Sequence, residues 1–142
     1  MIKLSILIPT LNVRQMLKAC LESVKQFTPV GTYEIIIADN ASSDGTLEML
    51  QMDFPEIKVL TSERNEGFTK PVNRLLKEAQ GEFLVLLNPD TLLIEDVFSP
   101  QLDWLAENEQ VGICIPKVLN SDGTFQAQSK RGDAKPAAVF GY

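Results

Sequence analysis

The sequence predicts an α/β fold in which helices flank a mostly parallel sheet. Short apolar runs of strand length alternate with longer segments whose apolar residues recur at helical spacing. Polar, turn-rich stretches separate the two kinds of segment. Such alternation is typical of parallel strands connected by helices. The predicted order is β-α-β-α-β-α-β-α-β, followed by a hairpin.

The first half of the chain supplies three of these strands and two helices. The strands are Leu4–Ile8, Tyr33–Ala38 and Ile57–Leu60. We expect a helix from an N-cap at Asn12 to about Phe27. Its inward face would hold Leu17, Cys20, Leu21 and Val24. A shorter helix carries Leu47 and Leu50 and ends before Pro55.

The second half begins with a turn at Asn65–Gly67 and a helix to about Gln80, with Gly81 as its C′ residue. The inward residues of that helix would be Phe68, Val72, Leu75, Leu76 and Ala79. The continuous apolar run Phe83–Leu87 predicts a strand buried on both faces. Ser99 and Pro100 predict the start of a fourth helix. A fifth strand, Val111–Pro116, and a hairpin turn at Ser121–Thr124 follow.

Composition excludes several classes of function. The 142 residues suit one domain, and a net charge of −6 argues against nucleic acid as the main partner. The chain has no histidine, which excludes Ser-His-Asp and Cys-His catalysis and histidine-ligated zinc. General acid–base chemistry would fall to carboxylates, lysine or tyrosine. We expect Cys20 and Cys114 to be reduced core residues.

No apolar run is long enough to span a bilayer, and the first residues lack the pattern of a signal peptide. We therefore expect a cytoplasmic protein that works in the cytosol or at the cytoplasmic face of the membrane.

Four loops at predicted strand or helix ends carry polar groups with no evident structural use. They hold Thr10 and Asn12; Asp39, Asn40, Ser42 and Asp44; Asn65 and Gly67; and Asn88 and Asp90. Each group alone could be a helix cap, a turn residue or a solvated side chain. The carboxyl ends of parallel strands share one edge of a sheet, however, and ligands bind there. Together the four loops predict a site.

These groups suit a nucleoside diphosphate. The chain has neither GxGxxG nor GxxxxGK[ST], so no glycine-rich loop would cradle the phosphates. A divalent cation would be needed instead, and Mg²⁺ takes few protein carboxylates. Asp90 is the candidate ligand. Asp39 could accept hydrogen bonds from a base N–H or a ribose hydroxyl.

Four segments together resemble the inverting GT-A glycosyltransferases of family 2. They are Ser5–Asn12, Ile36–Thr46, Asn65–Phe68 with Asn73, and Leu86–Thr91. The most similar subgroup is the rhamnosyltransferase-like enzymes of bacterial cell-surface polysaccharide assembly. The resemblance implies a Rossmann-like nucleotide-sugar-binding domain and a glycosyltransferase of the hexosyltransferase type. It also implies a nucleoside-diphosphate sugar donor, a Mg²⁺ or Mn²⁺ ion and a glycan or lipid-linked acceptor.

The resemblance assigns roles to single residues. Pro9, Thr10 and Asn12 would line the nucleotide pocket, Asp39 would hold the base or ribose, and Asn40 would belong to the same binding set. Asn65, Gly67 and Asn73 would shape the floor near the ribose and sugar. Asn88-Pro89-Asp90 stands where the family has Asp-x-Asp, with Asp90 as the metal-linked carboxylate. Asn88 departs from that motif, although an amide can still bind a hydroxyl.

By the same resemblance, residues 1–117 would form the donor-binding core, and residues 118–142 would begin an incomplete acceptor-side region. The general base would lie beyond Tyr142, so this part of the enzyme would be inactive alone. The uncovered surfaces, near Val111–Val118 and Ala137–Tyr142, would then favour self-association.

Two other functions fit the predicted fold. One is a non-catalytic nucleotide-sugar-binding or scaffold domain that is complete as it stands. The other is a nucleotidyltransferase, which should carry a basic, glycine-rich loop after the first strand. The stretch Pro9–Arg14 contains no glycine, which disfavours that second alternative.

Overall fold

A computed structural model describes residues 3–29 and 33–129. Its strands are β1 (Leu4–Thr10), β2 (Tyr33–Asp39), β3 (Lys58–Thr61) and β4 (Phe83–Leu86). Its helices are α1 (Arg14–Phe27), α2 (Thr46–Asp53), α3 (Thr69–Glu78) and α4 (Phe98–Glu107), with a 3₁₀ turn at Ala127–Ser129. None of the helices in these ranges is long and apolar enough to cross a membrane.

The four strands form one parallel sheet in the order β3-β2-β1-β4. The predicted α/β class is therefore confirmed. In the register of β1 and β2, Thr10 lies beside Asp39, so the last residues of the two central strands are neighbours. Because every strand runs in the same direction, the loops that follow the strands begin at one edge of the sheet.

The two faces of the sheet carry separate apolar clusters, since side chains alternate along a strand. On one face, Leu4, Ile6 and Ile8 pack with Leu17 and Leu21 of α1. On the other face, Leu7, Ile36 and Ala38 pack with Leu75 of α3. The inward face predicted for α1 is confirmed, because its residues Leu17, Cys20, Leu21 and Val24 are all buried.

The expectation that β4 is buried on both faces is wrong. Leu84 and Leu86 are each 48% exposed. They lie on the sheet face that carries Ser5 and Leu7, and α3, the helix on that face, packs over β1 and β2. β4 is the edge strand of the sheet, and α3 does not reach over it. Its leucines are therefore exposed, although its sequence is as apolar as that of a central strand.

Two predicted N-caps are also wrong, because nearby carboxylates take their place. Asn12 does not cap α1; instead the N–H of Arg14 donates to Asp44 Oδ2 at 2.9 Å. In α4, Asp96 Oδ1 accepts from the N–H groups of Phe98 at 3.2 Å and Ser99 at 3.0 Å, so the helix begins before the predicted Ser99.

Gly81 is not a helix C′ residue with positive φ. It is required by a close approach, because a Cβ on Gly81 would lie 2.5 Å from the backbone nitrogen of Ser5. Two residues expected to face inward on α3 do not: Phe68 is 60% exposed and Leu76 is 45% exposed. Both lie away from the narrow contact made by Pro71 and Leu75, the buried residues of this helix.

The chain divides into two compact units, one up to Leu102 and the other from Asp103. In the second unit the predicted fifth strand, Val111–Pro116, is not formed. Its residues pair with no strand in the described part of the chain, and Ile113 and Ile115 are 82% and 64% exposed. An apolar run becomes a strand only when a neighbour supplies hydrogen-bond partners.

The predicted hairpin is confirmed, because Leu119 pairs antiparallel with Phe125 around a turn with Gly123 at φ 82°. Ala137–Tyr142, the other segment proposed for self-association, lies outside the described residues. The donor-binding boundary predicted at residue 117 concerns function and stays a prediction.

Candidate active site

The loops after β1 and β2 are joined directly at the carboxyl edge of the sheet. The N–H of Asn12 donates to Ser42 Oγ at 2.9 Å, and the N–H of Ser43 donates to Asn12 Oδ1 at 2.8 Å. Asn12 has φ 52° and Ala41 has φ 69°. Such left-handed backbone is uncommon for residues other than glycine, and it clusters at functional sites. These contacts make the two loops one structural unit.

Asp44 fixes this unit to two helices. Besides capping α1, its Oδ1 accepts from the hydroxyl of Thr46 at 2.5 Å and from the N–H of Thr46 at 3.1 Å. The bond from the Thr46 hydroxyl, with those from backbone N–H groups, lowers the pKa of Asp44. This carboxylate is therefore committed to structure.

Asp39 and Thr10 differ from Asp44, because each keeps an uncommitted oxygen. Both residues are buried, with exposed fractions of 0% and 3%. Asp39 Oδ2 accepts from the N–H of Ser42 at 3.0 Å. Asp39 Oδ1 and Thr10 Oγ1 have no hydrogen-bond partner among residues 3–29 and 33–129. A buried polar atom left without a partner costs about 1–3 kcal/mol, and more when it is charged.

Asn40 joins the loop after β3 to this edge. Its Nδ2 donates to Asn65 Oδ1 at 2.9 Å and to the carbonyl of Gly67 at 3.0 Å, and its Oδ1 accepts from the N–H of Glu66 at 2.8 Å. The predicted turn at Asn65–Gly67 is confirmed, with Gly67 at φ 77°.

The turn after β4 carries the predicted metal ligand. β4 lies beside β1, and the N–H of Leu87 donates to the carbonyl of Leu7 at 2.9 Å. Asn88 and Asp90 are exposed. Within the part of the chain that the structure describes, the Asp90 carboxylate takes part in no hydrogen bond or ion pair. It is therefore available to a ligand.

Two side chains of helix α1 contact the segment that follows β4. The Cys20 thiol points to the carbonyl of Asn88 at 3.9 Å, and Ser23 Oγ accepts from the N–H of Leu93 at 3.1 Å. Burial, with the negative charge of Asp90 nearby, raises the pKa of Cys20 to about 12. Cys20 is consequently a neutral supporting group and not a nucleophile.

A model of the family described as glycosyl transferase family 2 matches residues 5–137. The chain belongs to this family. It is 34% identical over 115 residues to the uncharacterized glycosyltransferase YfnE of Bacillus subtilis, covering 79% of this chain and 29% of YfnE. It is 29% identical over 126 residues to a PGL/p-HBAD biosynthesis glycosyltransferase of Mycobacterium tuberculosis, covering 86% of this chain and 49% of that protein.

Two solved structures of glycosyltransferases share the fold. Staphylococcus aureus TarS 1–349 in complex with UDP-GlcNAc matches with a TM-score of 0.69 and 27% identity, covering 76% of this chain and 32% of that one. A Pyrobaculum calidifontis mannosyltransferase in complex with GDP-Man and Mn²⁺ matches with a TM-score of 0.67 at 22% identity, covering 73% of this chain and 32% of that one. The chain thus spans a quarter to a half of the length of the relatives named here.

In this family 2 chain, the structure brings most of the predicted site residues together. Thr10, Asn12, Asp39, Asn40, Asn65 and Gly67 form one connected edge. Pro9 lies half-buried in β1 beside Ala38. Asn73 is exposed on α3, and its side chain makes no hydrogen bond to the described residues.

Sequence reasoning missed Cys20 and Ser23 as supports of the turn after β4. A serine on the otherwise apolar buried face of α1 was the available indication, because a buried hydroxyl needs a partner.

A cavity of about 360 Å³ lies at the opposite edge, where β2 and β3 begin. Its charged residues are committed to one another or to the sheet: Lys25 pairs with Glu56, Lys58 pairs with Glu78, and Glu34 accepts from Ser5 Oγ. It offers no uncommitted buried acceptor comparable to Asp39, so the carboxyl edge is the better site.

Proposed function

We propose that this family 2 chain binds the nucleoside diphosphate of a sugar donor at the carboxyl edge of its sheet. In the whole enzyme, the sugar would pass to a glycan or lipid-linked acceptor with inversion. The observation that carries the proposal is the pair of uncommitted oxygens, Asp39 Oδ1 and Thr10 Oγ1, buried side by side at the ends of β2 and β1.

A nucleoside has the groups that these oxygens need. A carboxylate accepts hydrogen bonds only, so Asp39 Oδ1 requires an N–H or O–H donor, such as a ring N–H of a base or a ribose hydroxyl. The Thr10 hydroxyl can donate or accept and can take a neighbouring base or ribose group. The TarS complex with UDP-GlcNAc supports this ligand class, because TarS has the same fold at 27% identity.

A divalent cation fits the turn after β4. The described residues contain no group of three or more histidine, cysteine, aspartate or glutamate side chains that could enclose a metal. Mg²⁺ needs no such group, because it commonly takes one or two carboxylates and completes its shell with water and phosphate oxygens. The exposed Asp90 carboxylate matches that requirement, and Asn88 beside it can bind a hydroxyl. When bound, Mg²⁺ or Mn²⁺ would neutralise charge on the departing diphosphate.

Inverting transfer also needs a general base. The acceptor hydroxyl attacks the anomeric carbon, the base takes its proton, and the bond from that carbon to the diphosphate breaks. Asp96 is a poor candidate, since its hydrogen bonds with Ser99 and the N–H of Phe98 lower its pKa. We propose that the base is a carboxylate outside residues 1–142.

Calorimetric titration with UDP, TDP and GDP, each with and without Mn²⁺, tests the proposal. We expect at least one nucleotide to bind, more tightly with Mn²⁺. Asp39→Asn keeps an acceptor for the N–H of Ser42 but replaces the free carboxylate oxygen by an NH₂ group. Loss of a charged hydrogen bond of about 1.5–3 kcal/mol should weaken binding about 10- to 100-fold.

The matched control is Asp53→Asn. Asp53 ends α2 and forms an exposed ion pair with Lys18 of α1, so the substitution removes one surface carboxylate. We expect its affinity for nucleotide to equal that of the wild type. Absence of binding by every nucleotide, or equal affinity of Asp39→Asn and wild type, would refute the proposal.

A further inference from the structure

Asn40 uses its side chain in the opposite way to its neighbour Asp39. Asp39 keeps one carboxylate oxygen unused. Asn40 is 6% exposed, and both of its N–H donors and its carbonyl oxygen are bonded to the segment Asn65–Gly67. An asparagine amide has only two N–H donors, so Asn40 has none left for a ligand.

The segment Asn65–Gly67 depends on this one side chain for its position. Asn65 and Gly67 are exposed, and Gly67 meets no atom within 4 Å of where a Cβ would lie. Within the segment, the N–H of Gly67 donates to Asn65 Oδ1 at 2.9 Å, which closes a small turn. The three bonds from Asn40 attach that turn to the sheet.

The other attachments near this segment are weaker. Glu66 lies 3.8 Å from both Lys70 and Arg74, and Lys70 is 68% exposed, so solvent screens that pair. Arg74 instead holds the end of β3, donating to Ser62 Oγ at 2.9 Å. Asn40 is therefore the main anchor of the turn itself.

Asn40 also has a fixed position of its own. It directly follows Asp39, and its N–H donates to the carbonyl of Thr10 at 2.9 Å. The hydrogen bonds of Asn40 thus connect the strand ends that carry the two uncommitted oxygens to the turn Asn65–Gly67.

We infer that Asn40 is a positioning residue that holds the turn Asn65–Gly67 as a wall of the nucleotide site, without touching the nucleotide. The role of the turn as a wall of the nucleotide site rests on the proposed function. The anchoring of the turn by Asn40 does not. It replaces the direct binding role that the resemblance implies for Asn40. The inference also implies that the nucleotide binds tightly only when the turn Asn65–Gly67 is held in place.

Amide hydrogen exchange separates anchoring from contact. Asn40→Asp keeps the shape of the side chain but loses both donors, and its carboxylate would face the oxygens of Asn65 and Gly67. Without nucleotide, we expect the amides of Glu66 and Gly67 to exchange at least about tenfold faster in this variant. Nucleotide affinity should fall about tenfold or more, because ordering the turn then opposes binding.

Asp39→Asn is the matched comparison. It should lose affinity while the exchange of the Glu66 and Gly67 amides stays at the wild-type rate. Lys70→Ala should change neither quantity. If Asn40→Asp does not fold, Asn65→Ala removes one of the acceptors of Asn40 from the exposed side, and it should raise the exchange of the Glu66 amide, which donates to Asn40 Oδ1.

The exchange rates and the nucleotide affinity of Asn40→Asp together distinguish anchoring of the turn from direct contact with the nucleotide. Faster exchange with weaker binding in Asn40→Asp supports the inference. Weaker binding with unchanged exchange would overturn it, since Asn40 would then contact the nucleotide itself. Faster exchange with unchanged affinity would overturn the role of the turn as a wall. If the wild type binds none of UDP, TDP and GDP, the proposed function fails, whereas the exchange rates still decide whether Asn40 anchors the turn.

Discussion

Replacing Gly81 by alanine should destabilise the protein through a clash with backbone. The new Cβ would lie 2.5 Å from the nitrogen of Ser5, 2.7 Å from the carbonyl carbon of Leu4 and 2.8 Å from Ser5 Oγ. Two of these atoms belong to the backbone of β1, which is paired with strands on both sides and cannot easily move aside. The third belongs to a hydroxyl that accepts from the N–H of Gly81 at 2.8 Å and donates to Glu34 at 2.5 Å.

The expected magnitude follows from these contacts. Overpacking of this kind costs about 1–3 kcal/mol, and loss of the bond between Gly81 and Ser5 adds about 1 kcal/mol. The smaller conformational freedom of alanine in the unfolded chain returns about 0.4–1 kcal/mol. We therefore expect Gly81→Ala to lower the free energy of unfolding by about 2 kcal/mol.

Two other glycines are matched controls for urea unfolding. Gly112 has no positive φ, and no atom lies within 4 Å of the position that an added Cβ would take. Gly112→Ala should therefore change the free energy of unfolding by less than about 1 kcal/mol. Gly67 has the same open space but φ 77°, so Gly67→Ala should cost about 1 kcal/mol through backbone strain alone. Equal stability of Gly81→Ala and Gly112→Ala would contradict the predicted clash with the backbone of β1.

Two further predictions concern the cysteine and the exposed apolar residues. Because the pKa of Cys20 is raised to about 12, its thiol should react with iodoacetamide at pH 8 only after unfolding. Peptide mass mapping separates Cys20 from Cys114, and labelling of Cys20 in the folded protein would contradict this. If Val111–Val118 mediates self-association, sedimentation should show assembly that Ile113→Lys weakens and Met52→Lys does not, since the two residues are 82% and 80% exposed. A monomer at high concentration would contradict that proposal.

Elements with a strong local pattern could be predicted from the sequence. The strands β1 and β2 and the buried face of α1 follow from the spacing of their apolar residues, and these residues form the core. The expectation that Thr10 and Asp39 lie at one edge of the sheet follows as well, because the carboxyl ends of parallel strands share an edge.

Features that depend on distant partners could not be predicted. Asp44 caps a helix that begins 30 positions earlier, and Gly81 is needed because of Ser5, which is 76 positions away. The exposure of Leu84 and Leu86 depends on how far α3 reaches across the sheet, which their own sequence does not encode. The run Val111–Pro116 has the composition of a strand but pairs with no strand among the described residues.

The same distinction holds within the candidate site. The residue types at the strand ends predicted a binding edge, and the structure shows that edge connected. The division of work between Asp39 and Asn40 depends on the hydrogen bonds that each side chain makes, and neighbouring residues of similar shape turn out to differ completely. No local pattern in the sequence carries that information.

Backbone amide NMR locates bound nucleotide on the protein residue by residue. UDP, TDP and GDP, each with Mn²⁺, would be titrated into the labelled protein. We expect at least one of them to shift the amides of Thr10–Asn12, Asp39–Ser43 and Asn65–Gly67, while those of Lys25 and Glu56 at the opposite edge stay in place. Shifts confined to the opposite edge, or no shifts with any nucleotide, would contradict it.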